Sequence, residues 1–231
     1  MAQWILRLDL RLPAFAGDCK SHYAAGLDMA AFADEIGFDV CMLSEHHGAE
    51  DGYLPSPLVY GAAVAARTRR LRLSISALIL PLHDPLRIAE DAAVLDHIAQ
   101  GRLELVLVAG FLPSEFAMFD RPIEQRGTLL EDYVAVMRRA WRGEPFEYQG
   151  RQVRVTPRPW QPSGPPLLLG GATPQEELLE VLRVALELVE RRERHRRRTR
   201  VRPRLGRATV FTTTTAVGLR RCVRRARVGL P

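Results

Sequence analysis

Long unbroken apolar runs are missing from this chain of 231 residues, and its first stretch, "MAQWILRLDLRLP", carries Arg7 and Asp9 where a signal peptide needs an uninterrupted apolar centre. The expectation is a soluble cytoplasmic protein without a membrane partner. Cysteine is scarce as well: Cys19, Cys41 and Cys222 show no metal-ligand spacing, and three thiols cannot all pair with one another. Reduced thiols are expected, with Cys41 on a buried strand. No Gly-rich dinucleotide loop follows the first apolar run, and neither H-E-x-x-H nor a compact carboxylate–histidine set is visible along the chain. No metal ligand is therefore expected.

What is present is an ordinary globular complement of 47% apolar residues, enough for one large domain or two small ones. Charge divides the chain sharply. From Arg191 to the end there are fifteen arginines and one acid, Glu193, a local balance of +14; against a total of +6, the rest stands at −8. An acidic body with a basic tail is the sharpest break in composition.

Between Trp4 and Ala172 short Leu-rich or β-branched runs alternate with longer segments of helical period, the rhythm of an α/β fold with a parallel sheet. The strand-like runs are "WILRLDLRL", "FDVCMLS", "LRLSISALIL", "LELVLVAG" and "LLLGG". Helical segments lie between them: one with Leu27, Ala30, Ala31 and Ile36 on one face that stops at Gly37, then "LVYGAAVAARTRR", "LRIAEDAAVLDHIAQ" and "RGTLLEDYVAVMRRAW". The stretch "RGEPFEYQGRQVRVTPRPWQPSGPP" reads as a loop. Five strand–helix repeats with short connections fit an incomplete TIM-type (β/α) barrel better than a doubly wound sheet.

In such a barrel the loops after the strands open on one face, where catalytic groups collect. Asp9 lies near the first exit, Glu45-His46-His47 at the second, His83-Asp84 at the third, Gly110 and Glu115 at the fourth, Gly170-Gly171 at the fifth. A purely structural strand has no need of three titratable groups at its end, so His46 and His47 are read as acid/base groups or as groups that orient a bound ring. Other exits leave two readings open. "PLHDPLR" can simply rigidify a turn, Glu115 can cap a helix, and Arg126 at a helix start can bind phosphate or form a surface ion pair. In "GGATPQEE", Thr173 is placed to cap a helix whose free amides could also hold a phosphate.

Taken together, "SEHHGAEDGYLPSPL", "LPLHDPLRIAEDAAVLDHIAQGRLEL", "VAGFLPSEFAMF", "QRGTLLEDYVAVMRRAW" and "PPLLLGGATP" resemble the bacterial luciferase-like oxidoreductases, flavin-dependent monooxygenases and deazaflavin (F420)-dependent enzymes. The resemblance covers residues 4 to 174. It implies a TIM barrel that binds reduced FMN or coenzyme F420 at its C-terminal face and acts on a small organic substrate. By this likeness His46 and its neighbour His47 are the catalytic pair, and Arg126 contacts the cofactor phosphate near Gly170, Gly171 and Thr173. Ser76-Ala77 matches a position where relatives carry a cis peptide beside the ring, while Asp9, Glu45 and Gly110 complete the expected cofactor surroundings. Val108 and Ala109 stand where the luciferases themselves have a cysteine and an arginine, so light emission from a long-chain aldehyde is not expected.

The expected organisation is a barrel domain over 1–174 and, over 175–231, an amphipathic helix with Leu178, Leu182, Ala185 and Val189 on one stripe, then a basic segment. Three further strand–helix units of a full barrel are not found after Thr173. For "RRERHRRRTRVRPRLGR" three accounts stand side by side: a solvated or oligomer-contacting tail, a nucleic-acid contact, or an out-of-frame reading of a GC-rich gene. Little aromatic interleaving places nucleic acid behind the others. If the barrel is incomplete, its outer strands are edges that a homo-oligomer could cover, and the rival function is a non-catalytic binding scaffold.

Overall fold

The computed structural model describes residues 3–170. The expected domain boundary at 174, the helix after it and the basic segment lie outside the described residues, as do Gly171 and Thr173. Within the described residues five strands, β1 (Ile5–Leu8), β2 (Val40–Leu43), β3 (Arg72–Ile79), β4 (Leu103–Val108) and β7 (Leu167–Leu169), form one parallel sheet in chain order. Helices α1 (Cys19–Glu35), α2 (Pro57–Arg67) and α3 (Pro85–Ile98) make the first three crossovers. Between β4 and β7 come α4 (Pro113–Met118), α5 (Arg126–Ala140) and a hairpin of β5 (Phe146–Tyr148) and β6 (Arg151–Val153). Sequential parallel strands joined by helices are the opening half of a (β/α) barrel.

The local chemistry sets these bounds. Asp18 caps α1 by accepting from the Ser21 amide at 3.0 Å, and Asp84 caps α3 by accepting from Leu86 and Arg87 at 2.8 and 3.2 Å. Pro57, Pro85 and Pro113 open their helices, where a missing N–H costs nothing. The core lies between sheet and helices. Leu43, Ile75, Leu105 and Leu107 are fully buried, and six of the eight residues of β3 are buried, as in a parallel sheet covered on both faces. Cys41 is buried as expected, and burial pushes its thiol up to about 12.

Two expectations are corrected. The first strand is shorter than "WILRLDLRL": pairing with β2 stops at Leu8, and Leu10 turns the chain at φ 51°. The stretch expected to be all loop contains the β5–β6 hairpin, closed by Gln149 and Gly150 at φ 50° and 72°, a two-residue turn with both centres left-handed. Among the described residues no helix is long and apolar enough to cross a membrane.

Candidate functional site

Every strand exit in this topology lies at one end of the sheet, and three of them converge. Glu45, two residues past β2, is fully buried, its backbone amide donating to the Ala77 carbonyl at 3.2 Å. Its Oε1 accepts from His47 Nε2 at 2.9 Å and from His83 Nε2 at 2.6 Å, and its Oε2 accepts from the Ile79 amide at 2.5 Å. Burial alone would raise this carboxyl. The hydrogen bonds from His47 and His83, the His83 charge and the Ile79 amide outweigh it and hold Glu45 down at about 2. Glu45 is thus an anion at neutral pH. Since an anion only accepts, both imidazoles carry a proton on Nε2.

A second carboxylate organises the neighbouring histidine. Glu115 lies in the first turn of α4 and is 1% exposed; its Oε1 accepts from the His47 amide and from His46 Nδ1, both at 2.9 Å. The Glu115 Oε2 is buried with no partner. Gly110 permits this close assembly, since its φ is +80° and a Cβ there would sit 2.7 Å from Ile79 Cγ2 and 2.9 Å from Phe116 Cε2. With Nδ1 donating to Glu115, His46 keeps its Nε2 lone pair for another partner. The His46 side chain is 29% exposed, edge-on to Tyr53 at 4.7 Å and to the exposed Phe111 at 6.3 Å. His47 is 7% exposed and faces inward on Glu45. Two adjacent histidines, in the irregular segment past the end of β2, thus reach two different glutamates.

The other expected site residues are distributed unevenly. The Ser76–Ala77 peptide is cis, with a register shift against β4 between Ser76 and Leu78; Ser76 is buried and Ala77 half-buried. Asp9 is half-buried at the end of β1, 3.7 Å from Arg11, and its carbonyl accepts from Leu54. Arg126 begins α5 half-buried, with one N–H on the Ile123 carbonyl at 3.1 Å. Gly170 gives its amide to the Leu107 carbonyl at 2.9 Å, so it continues the sheet and has no N–H left for a phosphate. Glu45 likewise has both oxygens engaged within the protein. Glu115 and His83 are the members that the sequence reading passed over as site residues. Each stood at a strand exit, but "PSEF" looks like a helix start and "LHDP" like a turn, and the His46–Glu115 contact spans 69 positions.

The model of the family described as luciferase-like monooxygenase matches residues 11–188. The chain belongs to that family. The crystal structure of the monooxygenase RslO1 from Streptomyces bottropensis is 33% identical with a TM-score of 0.68, the match covering 74% of this chain and 54% of that one. The oxygenating constituent of 3,6-diketocamphane monooxygenase from Pseudomonas putida, solved with FMN, is 22% identical with a TM-score of 0.67 and coverages of 76% and 54%. The coenzyme F420-dependent tetrahydromethanopterin reductase from Methanopyrus kandleri is 18% identical with a TM-score of 0.55 and coverages of 74% and 50%. The last two likenesses carry the fold alone. The chain spans less than half the length of the curated relatives it matches, 46% and 41% for two of them.

Proposed function

We infer that the strand-exit face binds a flavin-type cofactor, reduced FMN or F420, and that the chain acts as a luciferase-like oxidoreductase on a small organic substrate. The observation that carries this reading is His46: a half-open imidazole fixed at Nδ1 by a buried carboxylate, its ring edge-on to the exposed Phe111 with centroids 6.3 Å apart. Such a ring is held in one orientation and can take or give a proton at Nε2 without reorganising.

The side chains present fit such a cofactor in part. Phe111 and Tyr53 offer ring surface beside His46, and Arg126 retains N–H groups beyond the one on Ile123 for a phosphate. Neither Glu45 nor the Gly170 amide is open to it. When bound, reduced FMN would activate oxygen for transfer to the substrate, whereas F420 would exchange hydride with it. The protein's own work is narrower. His46 moves the proton at Nε2, Glu115 steadies its ring, and the buried Glu45–His47–His83 group holds the second and third strand exits together behind it. A second copy of the chain belongs to the same proposal: β1 and β7 end the sheet without a neighbouring strand among the described residues, edges that a second copy would cover. No observation among the described residues favours the scaffold reading.

A fluorescence titration of the full chain with FMN and with F420 at fixed salt tests this. Saturable binding of one, weakened by Arg126→Ala and altered by His46→Ala, is expected. No saturable binding of either would refute it.

A further inference from the structure

We propose that Glu45, His47 and His83 form a two-histidine, one-carboxylate site for a divalent transition metal of the zinc class. Glu45 Oε1, His47 Nε2 and His83 Nε2 all lie within 4.8 Å of one another, drawn from two strand exits onto a single point. The site is separate from the His46 Nε2 assigned to the cofactor reaction, and it does not depend on that assignment.

Donor type, charge and support agree. Two imidazole nitrogens and one carboxylate oxygen suit zinc and its neighbours rather than magnesium or calcium, which prefer all-oxygen shells. Glu45 enters as an anion. Its second oxygen is fixed by the Ile79 amide, the His47 ring packs edge-on against Phe119 at 4.6 Å, and the His47 backbone is tied to Glu115. Outer contacts of this kind hold ligands in place in built metal sites. His83, 23% exposed, is the side from which an ion could enter. Three protein ligands leave a tetrahedral ion one open position, the pattern of sites that bind a further small molecule.

The ligand atoms must spread to receive it. Oε1 stands 2.9 and 2.6 Å from the two nitrogens, and tetrahedral zinc keeps its ligands about 3.3 Å apart. His83, the more exposed partner, can supply most of that movement. The metal takes the Nε2 lone pairs, so each neutral ring shifts its proton to Nδ1, and a ring that starts protonated releases one proton to solvent. Acid therefore competes with the metal.

Isothermal titration of tag-free, cofactor-free full chain with Zn²⁺, and visible absorption with Co²⁺, provide the test. One ion per chain is expected, with a cobalt ligand-field band of tetrahedral intensity. His47→Ala should weaken binding by at least about tenfold. His83→Gln should do the same, although the amide keeps a hydrogen-bond donor for Glu45 and so tests ligation apart from folding. His46→Ala should bind Zn²⁺ as the parent does. No stoichiometric binding, or binding indifferent to His83→Gln and His47→Ala, would overturn the proposal whatever the cofactor titration shows.

Discussion

The two ends of the parallel sheet use buried polar groups in opposite ways. At the end where the strands begin, side chains bind backbone. Asp34 at the end of α1 accepts from the amides of Arg69, Arg70 and Leu71 at 3.0, 2.8 and 2.6 Å, and Arg102 before β4 donates to the carbonyls of Ala65, Thr68 and Leu71 and to the Thr68 hydroxyl. These bonds satisfy loops that the fold would otherwise bury unpaired. At the end where the strands finish, titratable side chains bind one another: Glu45 with His47 and His83, Glu115 with His46. The first arrangement locks a conformation. The second gathers titratable groups at the face to which the proposed function assigns the proton transfer.

Substitutions at the two ends should accordingly separate activity from stability. The largest expected effect is at His46: His46→Ala should lower turnover of the cofactor-loaded chain by about 10²- to 10⁴-fold, the usual worth of a positioned acid/base, far more per folded molecule than the stability lost when the buried Glu115 keeps only the His47 amide as donor. Asp34→Ala should do the reverse. Leaving three amides without their acceptor should cost about 3 kcal/mol in chemical denaturation, with turnover per folded molecule preserved. Glu115→Gln comes next, because the amide brings no negative charge to a protonated His46 and can turn its NH₂ toward Nδ1, favouring the other tautomer; turnover should fall about 10²-fold and its pH profile should move.

Much of this contrast was legible in the residues. The Leu-rich and β-branched runs of β2, β3 and β4 carried their own bounds, and Glu45-His46-His47 stood out because titratable groups at a strand exit serve no packing need. What the sequence withheld was pairing over distance. Glu115 reads as a helix-start residue until the fold brings His46 to it, and His83 reads as part of a proline-flanked turn until β3 sets it beside Glu45. The β5–β6 turn was hidden for a different reason: Gln149 takes a left-handed conformation that glycine and asparagine usually mark.

A further expected effect is confined to acid. Glu45 is held at about 2 in the folded chain, below its ordinary value of 4.5. Its share of stability is therefore complete above the unfolded value and lost as pH falls through about 2. Denaturation midpoints of Glu45→Gln against the parent should converge on acidification over that window.

The most direct measurement is cofactor fluorescence titration of Arg126→Ala and Arg102→Lys, side by side with the parent chain. One arginine opens α5 at the finishing end; the other braces the starting end. The account predicts that Arg126→Ala loses cofactor affinity while Arg102→Lys binds as the parent does and only unfolds more easily. Equal loss in both, or loss confined to Arg102→Lys, would contradict it.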